Sequence, residues 1–340
     1  MVSPGCANCY AKSRDDRQMI EPVSHWGKGA PRRKSKSAVK AALAMNRSPW
    51  ICECGQAFSM PSEHLLGWTH CPNQTFHRRR VFSLSLGDWL DDEVPIEWLA
   101  EMLDTIQRCN QVTWILCTKR PQNWHARTES ICQWIGGEYL AGGLGEYVSM
   151  DETELTEFST WLSKWKSGTP PKNIIVLTSV ENQEMADKRI PELVNIPAVC
   201  RGLSIEPLLG PIDLHQAGAI FTDEEGDLSD PNPTLRRSFA RSDLGWVIIG
   251  GESGKNARPC NVDWIRSLVE QGQAAGVATF VKQLGFRPLT DEATPDGWPV
   301  GTELVSRTKE NAVVSLRDKK GGNPEEWPKD LRVREWPKGF

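Results

Sequence analysis

Six short apolar runs, separated by longer amphipathic stretches, constrain the fold of this chain more than any other feature of its sequence. Each run is four to six residues long and rich in Val, Ile, Leu or Phe, which is too short for a core helix. Apolar residues on both faces are typical of strands in a parallel sheet that is covered on both sides. The runs are Val81–Leu86, Thr113–Cys117, Ile174–Ser179, Cys200–Ile205, Trp246–Gly250 and Ala278–Val281.

Two of the stretches between the runs have the periodicity of an amphipathic helix. In Ile96–Arg108 apolar residues recur on one helical face, and Pro95 suits the entrance of a helix. Asp263–Ala275 carries a similar stripe, and Gly276 is placed to end it. This alternation of strands and helices predicts an α/β domain built on parallel strands.

Length and charge exclude several classes of protein. The chain has 340 residues, with 40 basic and 44 acidic side chains and a formal net charge of −4. This balance is typical of a soluble globular protein, and it is not that of a general nucleic-acid coat. No apolar run approaches the roughly 18 residues of a membrane span, and the first residues lack the apolar core of a signal peptide. We therefore expect a cytoplasmic protein without a membrane partner, whose ten cysteines are mostly thiols.

Charged or amide side chains follow every one of the six runs. In parallel α/β folds the loops at the carboxyl ends of the strands converge, and ligands bind there. Solvent explains any single polar ending, but all six together indicate a site. After the fifth run, the glycines of Gly250–Gly254 would let a ligand approach the backbone, and Glu252 can accept from an ammonium group or a ribose hydroxyl. The spacing is not that of the dinucleotide-binding fingerprint.

A pair of cysteines lies at the start of the chain, in Cys6-Ala7-Asn8-Cys9. The spacing alone is compatible with a redox dithiol, with half of a zinc site or with part of an iron–sulfur site. A thioredoxin-like pair would follow a strand, whereas only five residues precede Cys6.

Several sequence blocks together resemble a phage- and prophage-encoded family of uncharacterised proteins. That family is related to radical S-adenosylmethionine (radical SAM) enzymes and is often likened to spore photoproduct lyase. The resemblance spans nearly the whole chain in the right order. The blocks are Val2–Ala11, Leu84–Asp92, Thr118–Pro121, Ser179–Gln183, Leu203–Pro211 and Gly250–Gly254.

The resemblance implies a partial (βα) barrel of radical SAM type and an enzyme with a [4Fe–4S] cluster and S-adenosylmethionine. Cys6 and Cys9 would hold the cluster, facing the same open end of the strands as Glu252. Reductive cleavage of the cofactor would give a 5′-deoxyadenosyl radical that abstracts hydrogen from the substrate, with an electron-donor protein as partner. The substrate is unknown, and a nucleobase, a nucleotide or a nucleic acid is compatible with a phage protein in the host cytoplasm.

The same resemblance, combined with position, implies roles for the residues at the strand ends. Gly250, Gly251 and Glu252 would contact the cofactor. Lys119 and Arg120 suit a carboxylate or a phosphate. Three further charged residues would face the substrate: Glu181, Glu206 and Lys282. Charge pairing among the strand ends explains their presence equally well.

The chain departs from the family at its beginning. Family members carry a further Cys before the Val-Ser-Pro-Gly-Cys block, and a SAM-binding cluster uses three thiolates. We expect the true start of the protein to lie upstream of Met1. The alternatives are that another thiol substitutes for the missing cysteine, or that the chain cannot build the cluster. Cys117 and Cys260 are candidate substitutes, although packing explains both.

A second group of potential metal ligands falls between Ile51 and His77. A structural zinc would be held by three cysteines and one histidine: Cys52, Cys54, Cys71 and His70. His64 and His77 are the alternatives to His70. The alternative is a loop with incidental cysteines. Seven basic residues and no acidic ones occupy 25–50, so this insertion could contact nucleic-acid phosphates. A second functional hypothesis is therefore a zinc-stabilised nucleic-acid-binding phage protein on a degenerate barrel, without radical chemistry.

The predicted organisation has four parts. Residues 1–24 form the cluster-binding segment, and residues 25–80 form the basic, Cys/His-rich insertion. The barrel body occupies 81–289 with a loop insertion at 215–243, and a C-terminal extension occupies 290–340. We expect the tryptophans of that extension to pack it against the body.

Overall fold

The fold is described from a computed structural model. The structure describes residues 3–8, 28–32, 34, 37–52, 57–59, 76–84, 87–140, 151–220, 244–291, 297–307 and 311–340. Cys9, Cys54, His70, Cys71 and most of the predicted loop insertion lie outside these residues.

Helices and strands alternate along most of the described chain. The helices are α1 (Ala38–Arg47), α2 (Ile96–Arg108), α3 (Trp124–Leu140), α4 (Glu152–Lys166), α5 (Gln183–Val194) and α6 (Val262–Ala274). The first strands are β1 (Trp50–Cys52), β2 (Ala57–Phe58), β3 (Phe76–Arg78), β4 (Arg80–Ser83), β5 (Thr113–Thr118), β6 (Ile174–Ser179) and β7 (Cys200–Ile205). The later strands are β8 (Trp246–Gly250), β9 (Cys260–Asn261), β10 (Ala278–Gln283), β11 (Pro288–Thr290), β12 (Glu303–Arg307) and β13 (Ala312–Ser315).

Each of the six apolar runs contributes a strand to one sheet, as predicted, although the strand of the first run ends at Ser83 and Leu84 lies in a turn. Its strand order is β10-β8-β7-β6-β5-β4, and it is a parallel sheet that curls into a half-barrel. All six residues of β6 are buried, which is the burial expected of a strand covered on both faces. The prediction of a parallel α/β fold is therefore confirmed.

The chain divides into two compact units. One comprises Met1–Arg17, Leu177–Asn195 and Cys200–Gly339, and the other comprises Gln18–Val176 and Ile196–Val199 with Phe340. The second unit contains β4, β5, the antiparallel sheet β2-β1-β3 and helices α1 to α4. Leu99, Leu103 and Ile106 form the buried stripe of α2, whose bounds match the prediction. A buried tryptophan cluster completes its core: Trp89, Trp124 and Trp165.

The first unit contains β7, β8 and β10, and α6 packs against β8 and β10. It also contains a smaller sheet of order β12-β13-β11-β9. Gly276, with a φ of +65°, follows the end of α6, as the sequence predicts. The C-terminal segment pairs with β10, because Val281 N donates to Val333 O and Glu335 N donates to Thr279 O. Trp336 packs on Trp246 at 4.7 Å between ring centroids. Of the tryptophans that were expected to pack the extension against the body, Trp336 does so. Within the described residues, no helix has both the length and the apolar character to cross a membrane.

Candidate functional site

The carboxyl ends of four parallel strands in the first unit carry most of the predicted site residues. Glu181 follows β6 and Glu206 follows β7. Gly250 is the last residue of β8, and Lys282 is the second-to-last residue of β10. Because parallel strands end at the same edge of a sheet, the chain brings these residues to one side of the unit. They do not form a single open group, since most of them are bonded to each other or to the backbone.

Glu181 belongs to a buried ion pair. Its side chain is fully buried, and Arg189 on α5 donates to its Oε2 at 3.1 Å and to the carbonyl of Ser179 at 2.7 Å. Asn182, directly after Glu181, caps the N-terminus of α5 and so places Arg189 two turns later beside the strand end. Glu181 therefore acts here in charge pairing, which was one of its two predicted roles.

Glu206 and Lys282 form a second, more exposed pair. The Nζ of Lys282 donates to Oε2 of Glu206 at 2.7 Å, and the Lys282 side chain is 52% exposed. A pair this open to solvent contributes little to stability, at most about 1 kcal/mol. These two side chains are the predicted substrate residues that remain accessible at the strand ends.

The glycines after β8 serve backbone packing. The amide of Gly251 donates to the carbonyl of Gln283 at 3.0 Å, and the Gln283 side-chain amide donates back to the Gly251 carbonyl. A Cβ at Gly251 would overlap the carbonyl of Leu284, so no larger residue fits there. The Gly251 amide is thus engaged within the chain rather than presented to an anion.

Glu252 is held by an arginine that the sequence analysis did not single out. Arg258 donates to Glu252 through its backbone N (2.8 Å), its Nε (3.0 Å) and a terminal guanidinium nitrogen (2.7 Å). Burial is the largest influence on the pKa of Glu252 and raises it, but the hydrogen bonds from Arg258 and Asn8 together outweigh burial, so the pKa is lowered. Glu252 is therefore a carboxylate whose oxygens both accept from neighbouring groups.

The N-terminal segment Ser3–Asn8, called the Cys6 turn below, contacts Glu181 and Glu252. Pro4–Cys6 forms a 3₁₀ turn, in which Cys6 N donates to Ser3 O. The Ser3 hydroxyl donates to Oε1 of Glu181 at 2.7 Å and lies 3.8 Å from the Cys6 sulfur. At the other end of the turn, the Asn8 amide donates to Glu252 at 3.2 Å and to the carbonyl of Asn256 at 2.8 Å. The expectation that Cys6 lies near Glu252 at the strand ends agrees with this geometry.

The described cysteines supply one part of the predicted cluster site. A cluster that binds S-adenosylmethionine needs three thiolates, of which Cys6 is placed and Cys9 lies outside the described residues. Burial raises the pKa of the Cys260 thiol to about 12, which makes it a poor substitute ligand. Cys52 is buried in β1, and His77, one of the alternative zinc ligands, lies on β3, which pairs with β1. The other proposed zinc ligands, Cys54, His64, His70 and Cys71, lie outside the described residues. No three potential metal ligands come together in the part of the chain that the structure describes.

Lys119 and Arg120 lie in the second unit, in an acidic setting. Asp88 accepts from the Thr118 hydroxyl, the Lys119 backbone amide and the Arg120 guanidinium, at 2.6 to 3.1 Å. Asp91 and Asp92 each lie 3.6 Å from other nitrogens of Arg120. The charge of Arg120 is therefore compensated within the chain, which was not anticipated from the sequence.

Part of the basic segment 25–50 is also paired within the second unit. Arg32 bonds to Asp91 and Glu93, and Lys34 forms an ion pair with Glu101. Lys28, Lys40 and Arg47 are exposed. The positive charge that this segment can offer to a partner is smaller than its composition indicates.

Comparison with known proteins gives a family without an assigned activity. The family described as "Protein of unknown function (DUF5131)" matches residues 1–322, and the chain belongs to it. No curated protein and no solved structure matches the chain.

Proposed function

We propose that this chain is a radical SAM-type enzyme that abstracts hydrogen from its substrate, with Cys6 and Cys9 among the ligands of a [4Fe–4S] cluster. The observation that carries the proposal is the position of the Cys6 turn, whose Ser3 and Asn8 bond to the carboxylates that follow β6 and β8. A cofactor held by this turn would face the edge of the sheet at which parallel α/β folds bind their ligands. When bound, the cluster and S-adenosylmethionine supply a 5′-deoxyadenosyl radical.

The residues of the chain itself would then hold the turn and the substrate. The buried Glu181–Arg189 pair fixes the Ser3 end of the turn, since Glu181 accepts from the Ser3 hydroxyl. Lys282 keeps further N–H donors beyond its bond to Glu206, and its exposure allows it to bind an anionic group of the substrate. Arg120 is not assigned to the substrate, because three carboxylates surround its guanidinium.

The proposed substrate is a nucleobase, a nucleotide or a nucleic acid, and the proposed partner is an electron-donor protein. Exposed Lys28, Lys40 and Arg47 support a polyanionic substrate, because phosphates attract basic side chains regardless of base sequence. The anion-binding capacity of Lys282 supports the same class of substrate.

Metal analysis tests the proposed cofactor. The protein is purified without oxygen, and iron, acid-labile sulfide and zinc are measured for wild type, C6A, C9A and the control C132A. Cys132 lies on α3 in the other unit, where it accepts from Lys166 at 3.5 Å, so its loss should not affect the N-terminal turn. We expect iron and sulfide in wild type and C132A, and a severalfold loss in C6A and C9A.

Two results would contradict the proposal. Equal iron content in all four proteins would remove the cysteine turn as the cluster site. Stoichiometric zinc without iron or sulfide in wild type would favour the zinc-stabilised nucleic-acid-binding protein instead.

A further inference from the structure

We propose that Arg258 is a positioning residue that docks the Cys6 turn onto the end of β8, and that Glu252 serves this docking by orienting Arg258. The docking itself is independent of any cofactor. Its importance for cluster binding rests on the function proposed above.

The geometry of Arg258 joins the two parts of the chain directly. One nitrogen of its guanidinium donates to the carbonyl of Pro4 at 2.8 Å, while the Nε and the other terminal nitrogen bond to Glu252. The planar guanidinium holds these donors at fixed angles, so the bonds to Glu252 determine where the third donor points. Pro4 begins the 3₁₀ turn that carries Cys6, and Ala7 N also donates to its carbonyl.

The local backbone supports the same arrangement. Arg258 lies six residues beyond Glu252, and its own backbone N donates to Glu252 Oε2, so the connecting loop is closed on itself. Asn256, in the middle of that loop, accepts from Asn8 through its carbonyl. The loop that follows β8 thus contacts the turn on both sides of Cys6.

Charge also favours Arg258 at this position. The hydrogen bonding of Arg258 to Glu252 is the largest influence that raises the pKa of Arg258, and Glu181 and Cys6 lie close enough to raise it further. A permanent positive charge beside Cys6 compensates the negative charge that thiolate ligands bring to a site. Glu252, whose oxygens already accept from Arg258 and Asn8, is therefore assigned to the docking of the turn rather than to direct contact with the cofactor.

Hydrogen exchange on the metal-free protein tests the docking without any cofactor. The readout is the exchange of the Cys6 and Ala7 amides, which are bonded to the carbonyls of Ser3 and Pro4. The proteins are wild type, R258A, R258K and R266A, with exchange followed in the N-terminal peptide by mass spectrometry. Arg266 is a matched control, since it lies in the same unit and bonds to two carboxylates, those of Asp263 and Asp330.

In R258A we expect exchange of these amides to be about tenfold faster or more, because a charge-assisted bond that holds the turn is lost. R266A should match wild type. R258K should fall between wild type and R258A, because lysine keeps the charge but lacks the fork of donors; this variant also serves if R258A does not fold. After anaerobic reconstitution with iron and sulfide, cluster absorbance should fall in R258A and recover in part in R258K.

The outcomes separate this inference from the proposed function. Unchanged exchange in R258A overturns the docking role, whatever the iron content. Faster exchange in R258A, with no iron bound by any variant including wild type, supports the docking role and contradicts the proposed cluster. Faster exchange with full cluster absorbance in R258A overturns the claim that docking matters for the cofactor.

Discussion

Replacement of Arg189 by methionine should be among the most destabilising single substitutions in the first unit. The Arg189 side chain is 3% exposed and that of Glu181 is fully buried, so neither charge is screened by water. The R189M variant keeps most of the side-chain volume but removes the buried ion-pair partner of Glu181 and one hydrogen-bond donor to the Ser179 carbonyl. Removal of one partner of a buried pair costs about 3–5 kcal/mol, and we expect about 4 kcal/mol here.

The matched control is K282M, which breaks an ion pair of similar geometry at the surface. Lys282 and Glu206 are joined at 2.7 Å, but the lysine is half exposed, so the expected cost is below about 1 kcal/mol. The double variant E181Q/R189M should be more stable than R189M alone, because the amide leaves no uncompensated charge in the interior.

Urea unfolding followed by circular dichroism and tryptophan fluorescence measures these differences. A loss in R189M no larger than that in K282M would refute the burial argument. A double variant no more stable than R189M would show that lost packing, rather than the stranded charge, explains the effect.

Two further predictions concern the buried carboxyl group of Asp104 on α2 and the glycine at position 251, after β8. Burial, which outweighs the lowering effect of Arg108, raises the pKa of Asp104 on α2 to about 6. Because the folded chain then binds this proton more tightly than the unfolded chain, stability should fall by about 3 kcal/mol as pH rises from about 4 through about 6, and D104N should abolish that fall in urea titrations. The G251A variant should lose about 2 kcal/mol or more because its Cβ overlaps the Leu284 carbonyl, whereas G136A on α3, where a Cβ meets nothing within 4 Å, should gain about 0.5–1 kcal/mol. An unchanged pH profile in D104N, or equal melting temperatures for the two alanine variants, would contradict these expectations.

The sheet could be predicted from the sequence because burial on both faces leaves a local signature. Ile174–Ser179 begins with four consecutive apolar residues and is buried along its whole length, with the bounds that the sequence indicates. Ile96–Arg108 is equally local, since one apolar stripe and Pro95 determine where the helix begins and which face it buries. Placement of the polar side chains at the strand ends followed from the parallel topology alone.

Several contacts of those side chains could not be predicted, because they join residues that are distant in sequence. Arg258 bonds to Pro4, 254 residues away, and no pattern around either residue indicates that contact. Arg120 looks like an anion ligand in its own motif, but the carboxylates that compensate it come from residues 88–92. Gly251 was expected to admit a ligand, whereas the tight approach of the Leu284 backbone explains its lack of a side chain.

The most direct test of a cofactor at the Cys6 turn is electron paramagnetic resonance of the reduced, reconstituted protein, recorded with and without S-adenosylmethionine. We expect the signal of a reduced iron–sulfur cluster, with a change of shape when S-adenosylmethionine binds the open iron, and loss of the signal in C6A. A protein that shows no cluster signal, or a signal that S-adenosylmethionine leaves unchanged, would contradict a radical SAM function for this chain.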